Sequence, residues 1–385
     1  MSRTNGTQLG LGASFCPVDP PMRDFLLDAT CLAALGTIAD VVPLLGENRT
    51  LAMHGLRGLP GSKHPGLVAL LESAGLAEAK LDAYHVGFVL APRLNACGRM
   101  GHARLAVELL TDAAPRRCRE IADYLGKQNT ARQQVEREIT GQAVEMVRAA
   151  GMDREERRAI VLASEQWHGG VIGIVASRLV ERYHLPTVLI AIDNGEGKGS
   201  ARSIPGFHLY EALRRCEGSL IRYGGHKYAA GLTILPENIE AFRKQMIQVS
   251  GEMLTDDDLV PKLFIDSEIE LDQVTSEFVD TLEKFSPFGP MNMRPIFLTR
   301  NLEVVGQPYR VGKNHLKMRV RKGEAVLDVI GFGFGDLVRP LMMRSGTIDM
   351  AYVIEFNHWN GVVRIQLRIK DIRFDGGHIL RGNAP

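Results

Sequence analysis

Cysteine is scarce and dispersed in this chain: five residues in 385, at positions 16, 31, 97, 118 and 216, with no Cys-x-x-Cys pair. That spacing excludes a disulfide scaffold and a structural zinc site, and it fits a reducing cytoplasm. Long apolar runs are missing too. No segment is long enough to cross a bilayer, and the opening MSRTNGTQLGLG lacks the basic-then-apolar pattern of a secretory signal. Neither sign of charge prevails: Lys and Arg total 46 against 45 acidic residues, a formal charge of +1, which excludes a globally basic coat but leaves room for local basic faces. What is present is an ordinary globular balance, 45% hydrophobic and 24% charged, in a chain too long for one core. Two to three domains are expected.

Several catalytic signatures are absent as well. Gly10-Leu11-Gly12 meets Phe15 where a dinucleotide fingerprint needs its third glycine, and the pair Gly331 and Gly333 meets Asp336. Gly197-Lys198 ends like a phosphate loop, but Ile192 stands at the leading position and Gly199 follows the lysine. There is no Gly-x-Ser-x-Gly, no His-Glu-x-x-His and no cysteine nucleophile in an evident setting. These gaps weigh against hydride transfer, P-loop ATP hydrolysis and zincin proteolysis.

Periodicity points to an α/β protein in four parts. In residues 1–112 the apolar run Phe25, Leu26, Leu27, Leu32, Ala33 and Leu35 breaks at Gly36. Ile38, Val41 and Val42 then suit a buried edge, Gly46-Glu47-Asn48 suits a turn, and His64-Pro65 opens a short helix. Residues 113–152 read as a long half-polar helix, with Thr111 and Asp112 as caps, Pro115 in the first turn and Gly151 beyond the end. A connector between lobes and an ordinary surface helix fit that pattern equally well. Residues 153–258 alternate strand, helix and strand over 159–163, 170–183 and 186–192, the βαβ signature, and add helices over 207–216 and 236–254. Residues 259–385 hold short strand-like runs over 263–269, 302–305, 315–320, 325–330, 348–354 and 362–369, with one helix over 276–285. They suggest a small barrel of the OB type.

The chemistry-bearing residues fall into clusters of Arg, Gly and His. In PRLNACGR, Arg93 and Arg99 flank Asn95 and Gly98, a set that suits an anion because guanidinium forks phosphate oxygens and glycine lets backbone N–H groups approach. A turn held by surface arginines fits the same letters. In Gly197 to Ser203, small residues lie between Lys198 and Arg202 and suit either a phosphate cradle or a flexible βα loop. In Tyr223-Gly224-Gly225-His226, paired glycines would let the imidazole and backbone N–H groups meet a ligand at a helix N-terminus, although a lone histidine is more often structural. From Lys198 to Tyr228, cations outnumber acids six to two, so the joint occurrence outweighs any member. Between Met291 and Lys322 the basic residues Arg294, Arg300, Arg310, Lys313, Lys317, Arg319, Arg321 and Lys322 face the single acid Glu303, with Phe297 and Tyr309 interleaved. On a barrel, such a face suits single-stranded nucleic acid through charge neutralisation and base stacking; a solvated charged face is the plainer alternative. Asp40 could ligate a divalent metal, or simply end a helix.

Taken in order, GTIADVVPL, PRLNACGRM, WHGGVIGIVASRLVERYHLP, KGSARS and YGGHKYAAG make the chain similar, from about Asp24 to about Ile372, to the RecJ-type single-stranded-DNA-specific exonucleases of the DHH phosphoesterase superfamily. The resemblance implies that residues 1–112 are the C-terminal remainder of a DHH catalytic domain and 113–152 a connector helix. It makes 153–258 a DHHA1 substrate-binding domain and 259–385 an OB-like nucleic-acid-binding domain. GTIAD resembles that family's last metal-binding motif, so Asp40 is implied as a ligand of Mn²⁺ or Mg²⁺. No Asp-His-His occurs anywhere in the chain, and Asp40 is all that remains of the metal site, so the chain is expected to be the C-terminal portion of such an enzyme, with its own activity in doubt. By the same resemblance Arg93, Asn95 and Arg99 contact phosphates near the scissile bond. Arg202, Ser203, Gly224, Gly225 and His226 hold the 5′ end, and Lys317 and Arg319 help the barrel guide the strand. The implied activity is metal-dependent 5′-to-3′ removal of nucleotides from single-stranded DNA in repair and recombination, in the cytoplasm. Two other functions stay open: a non-catalytic single-strand-binding module, and a DHH-type phosphodiesterase of oligonucleotides or cyclic dinucleotides, against which the long connector and the barrel argue.

Overall fold

Proline opens three of the helices in the first part of the chain, where its missing N–H is one that no helix could pair anyway. The computed structural model describes residues 19–100, 102–152, 158–343, 346–359 and 361–374; Gly10, Gly12, Phe15 and Cys16 lie outside them. Helices α1 (Pro20–Ala39), α2 (Gly46–Gly58), α3 (Pro65–Ser73), α4 (Ala91–Met100) and α5 (Arg104–Leu110) make up the described part of the first lobe. His64 caps α3, its Nδ1 accepting from the N–H groups of Gly66 and Leu67 at 3.1 and 3.4 Å.

Several local expectations change here. The apolar run does not break at Gly36: α1 continues to Ala39, since one exposed glycine costs a helix only about 1 kcal/mol. Ile38, Val41 and Val42 therefore form no buried edge; they sit at a helix end, with Val41 67% exposed. Phe25, Leu26 and Leu27 are exposed, whereas Cys31, Ala34 and Leu35 are buried. Gly46-Glu47-Asn48 begins a helix rather than making a turn. PRLNACGRM is also helical, entered through a wide π-type turn at His85–Leu90.

Helix α6 (Pro115–Ala149) runs about 52 Å at the α-helical rise. Its expected caps are not used: Ala114 precedes it, and the Thr111 hydroxyl donates back to Val107 O at 2.9 Å. Its length is shared between two cores. Cys118, Ile121, Ala122 and Leu125 pack with Leu67, Leu70, Leu90 and Leu109 of the first lobe. Ile139, Ala143, Val144 and Val147 pack instead with Val171, Val175 and Leu179 farther along the chain.

The βαβ pattern folds as read. Strand β1 (Ile160–Ser164), helix α7 (Ile172–Tyr183) and strand β2 (Thr187–Asp193) make a parallel pair with its crossover. Strand β3 (Glu196–Arg202), helix α8 (Leu209–Arg215), strands β4 (Arg222–Gly225) and β5 (Ala229–Ile234), and helix α9 (Ile239–Met253) complete a sheet of order β1-β2-β3-β5-β4. One face carries α6 and α7, the other α8 and α9. The segment read as a cradle or a βα loop is thus strand β3, paired antiparallel on both sides.

The last part begins with strand β6 (Ser267–Glu268) and helix α10 (Ser276–Glu283). Strands β7 (Phe297–Val311), β8 (His315–Lys322) and β9 (Ala325–Phe332) follow, then helix α11 (Val338–Met343) and strands β10 (Ile348–Trp359) and β11 (Val362–Phe374). The order β7-β8-β9-β11-β10 closes on itself because β10 also pairs with β7. With β9 and β11 parallel, this is the five-stranded Greek-key barrel of an OB-fold. The barrel leans on the first lobe. Leu44 N–H donates to Pro290 O at 2.8 Å, and Arg49 donates to the carbonyl of Lys284, which closes α10, and to those of Phe285 and Ser286 just beyond it.

Candidate nucleic-acid interface

Glycine decides what can approach the N-terminus of α7. A Cβ on Gly170 would lie 2.6 Å from Arg99 O, and one on Gly173 would lie 2.8 Å from Ser200 Oγ and 3.0 Å from Arg202 Nη2. The first turn of α7 is therefore pressed between the end of α4 and one face of β3. Arg99 Nη1 donates across this junction to Gly170 O at 3.2 Å, and Gly170 N–H donates to His168 Nδ1 at 3.1 Å. On β3, Ser200 and Arg202 point to the same side, two residues apart, and Arg202 Nη1 donates to Ser200 Oγ at 3.1 Å and to Ala201 O at 2.8 Å. Burial pushes the Arg202 guanidinium down, and the charge of Arg99 adds to the push. Two cations from separate lobes thus face one helix N-terminus, an arrangement that attracts an anion.

The hairpin of β4 and β5 closes the same end of the sheet. Ala229 lies beside Arg202 in the β3–β5 register, and its carbonyl accepts from His226 N–H at 2.8 Å. Gly225 sits at φ 146°, and a Cβ there would come within 2.5 Å of Ala229 O, so the turn needs glycine. Gly224 pairs with Gly231 in the hairpin. His226 is exposed at the turn rather than at the head of a helix; Lys227 O accepts from Leu209 N–H at 3.0 Å, which seats the turn on the start of α8. Ser203 is near, but its hydroxyl serves the loop, donating to Phe207 O at 2.9 Å.

The first lobe divides its candidates. Arg93 and Arg99 are six residues apart on a helix, about 600° of rotation, so they point to different sides. Arg93 Nη1 donates to Val89 O of the preceding π-type turn at 2.7 Å, its Nε is buried without a partner, and burial lowers its pKa. No hydrogen bond or ion pair among the described residues brings Arg93 to the junction. Asn95 is exposed on α4. Asp40 closes α1, its N–H donating to Gly36 O at 3.0 Å, and Val41 after it holds φ 60°, a costly conformation for a β-branched residue. Among the described residues no group of three His, Cys, Asp or Glu could hold a metal. A hard divalent cation takes six or more oxygen ligands, so Asp40 by itself does not fit one.

On the barrel, Leu316, Met318 and Val320 face inward, and Lys317 and Arg319 alternate outward between them. Lys317 lies beside the exposed Tyr309 of β7 and beside Ile330 of β9, which in turn neighbours Arg368 of β11. The near absence of acids in this stretch is corrected by the fold: Arg294, Arg300, Arg310, Arg321 and Lys322 pair with Glu283, Glu268, Asp336, Glu303 and Glu270. Lys317 and Arg319 make no ion pair among the described residues. Phe297 is core, 6% exposed, and belongs to no outer face.

The sequence reading held Ser200 only as one of the small residues of its cradle and gave Gly170 and Gly173 no role at the site. The Ser-x-Arg spacing on a strand and the small residues of HGGVIG were the available signals. Residues 156–252 match the DHHA1 domain model and residues 265–371 the RecJ OB domain model. The single-stranded-DNA-specific exonuclease RecJ of Bacillus subtilis is 38% identical over 91% of this chain, and that of Dickeya dadantii is 34% identical over 96%. A crystal structure of RecJ from Thermus thermophilus in complex with Mn²⁺ superposes over 91% of the chain with a TM-score of 0.78 at 31% identity. The chain spans 44% and 65% of the length of those two relatives and 50% of the solved chain. No helix among the described residues is long and apolar enough to cross a membrane.

Proposed function

The chain belongs to the RecJ family, and from that premise we propose that it supplies the strand-gripping part of a 5′-to-3′ single-stranded-DNA exonuclease of repair and recombination, working in the reducing cytoplasm that its dispersed cysteines fit. The observation that carries this is the meeting of Arg99 and Arg202, from two lobes, at the first turn of α7. A phosphate there takes charge-assisted hydrogen bonds from both guanidiniums and the favourable end of the helix dipole. Ser200 orients Arg202. The hairpin carrying Gly224, Gly225 and His226 closes the site on one side, with Ser203 bracing the loop beneath it and Asn95 and Arg93 farther back on α4. Because terminal phosphate is the most highly charged group on a DNA strand, this is where the 5′ end sits. The barrel then takes the body of the strand on the β8–β9 face, with Lys317 and Arg319 neutralising backbone phosphates and Tyr309 stacking on a base.

Bond cleavage in this proposal needs a divalent ion, Mn²⁺ or Mg²⁺, to which the described residues bring Asp40 alone. The chain by itself therefore acts as a binding module. Incubated with fluorescent single-stranded DNA and Mn²⁺, it should bind in a salt-sensitive way and release few or no nucleotides. Robust digestion abolished by Asp40→Ala would contradict that division of labour, and absence of binding at low salt would end the proposal.

A further inference from the structure

The middle of α6 is unlike either of its ends. Asn129 and Arg132 are buried there, 6% and 9% exposed, in the gap between the two apolar cores that share the helix. Arg132 Nη1 donates to Glu136 Oε2 at 2.8 Å and Nη2 to Asn129 Oδ1 at 3.1 Å, while Nε is buried without a partner. Glu136 reaches the other way as well, its Oε1 accepting from Arg178 Nε of α7 at 3.3 Å, and Arg178 is paired in addition with Glu181. One carboxylate thus ties the connector to the helix whose N-terminus receives Arg99 and Arg202.

A spacer helix has no need of this. Leucine would fill the gap without the desolvation that a buried ion pair costs, and such pairs are often neutral to stability at best. The arrangement also concentrates positive charge, because Arg99, Arg132 and Arg202 gather around α7 with Glu136 as the carboxylate among them. Burial pushes the Arg132 guanidinium down, and Arg99 and Arg178 push it further against the pull of Glu136. Cations held this close are useful where an anion comes to sit between them.

We infer that Arg132 is a positioning residue for phosphate binding: held by Asn129, it fixes Glu136, which anchors α7 to the connector through Arg178 and so keeps the first turn of α7 where Arg99 and Arg202 reach one phosphate, without itself touching the strand. This rests on the junction being the phosphate site, so the test must separate the two. The full chain is titrated with a 5′-phosphorylated fluorescent oligothymidylate at several salt concentrations, and unfolding temperatures are measured alongside.

Arg99→Ala should weaken binding about tenfold and lower the salt slope by about 0.7, one phosphate contact on a single strand. If it changes neither, the phosphate site itself is wrong. Arg132→Met should weaken binding by a similar factor and lower the slope likewise, a change that mere loosening of the fold does not produce. In an Arg99→Ala background it should add less than about twofold, since the two act through the same contact. Full additivity, or a drop in unfolding temperature with binding intact, would overturn the inference alone. Arg132→Lys keeps the charge but gives up the fork, so it should bind nearly as weakly as Arg132→Met; full recovery would mean that bare charge suffices. Should Arg132→Met fail to fold, Glu136→Gln decides. It raises the net charge yet should weaken binding, whereas tighter binding would show that Glu136 orients nothing.

Discussion

At Gly173 the difference between a helix residue and a site residue is a single methyl group. Alanine is the better helix former by about 1 kcal/mol, so Gly173→Ala should leave folding intact or slightly improved. The new Cβ would nonetheless meet Ser200 Oγ and Arg202 Nη2, both at the ends of movable side chains, and displace the guanidinium. Binding of single-stranded DNA should fall several-fold while the unfolding temperature holds or rises; unchanged affinity would separate Arg202 from the strand. A second residue-scale outcome concerns pH. Burial pushes the thiols of Cys31 and Cys216 up to about 11 and the phenol of Tyr352 up to about 12. Below about pH 9 the folded and unfolded chains hold these protons alike. Above it the unfolded chain releases protons that the folded chain keeps, so stability drains away as pH rises from about 9 to 12. Thermal unfolding followed from pH 8 to 11 should show a falling midpoint, and a flat or rising one would contradict the burial of these groups.

Strand β8 shows at the scale of an element what periodicity can carry. Its alternation of Leu316, Met318 and Val320 with Lys317, Arg319 and Arg321 is legible in the letters, and the barrel uses it as read. The pairing of its neighbours is not legible: acids from Glu268 to Asp336 reach five cations that looked unopposed along the chain. Charge reversal at Lys317 and Arg319 together should therefore weaken DNA binding more than reversal at Arg321 and Lys322, whose charges are already partnered. Equal losses in a salt titration would mean that the face acts only through its total charge. Helix α4 carries the opposite lesson. Arg93 and Arg99 look like a pair in PRLNACGR, but helical rotation sends them apart, and the sequence contains no signal that the segment is helical strong enough to oppose its glycine and proline.

Over the whole molecule, the order of parts was readable because each has its own period: apolar stretches at helical spacing first, one long half-polar helix, a βαβ unit, then short strands. The βαβ strands lie within a residue or two of where alternation sets them, whereas in the barrel the run over 263–269 shrinks to Ser267–Glu268 and the run over 302–305 grows to Phe297–Val311. What could not be read was contact across parts. That Gly170 must be small for Arg99 to arrive, that Ser200 rather than Ser203 holds Arg202, and that Arg49 caps a helix some 235 residues away are facts of tertiary packing. Asp40 marks the limit on the catalytic side, one carboxylate at a helix end that belongs to no group of three or more candidate metal ligands among the described residues.

The central claim is that Arg99 and Arg202 hold a DNA terminal phosphate between the lobes. It is tested most directly by comparing, in one titration series, the affinity of the full chain for a single-stranded oligonucleotide ending in a 5′-phosphate and for the same strand ending in a 5′-hydroxyl. The phosphorylated strand should bind at least several-fold more tightly, and Arg202→Ala should erase the difference while leaving hydroxyl-strand binding on the barrel largely in place. Equal affinities for the two strands in the unaltered chain, or a preference that survives Arg202→Ala, would contradict it.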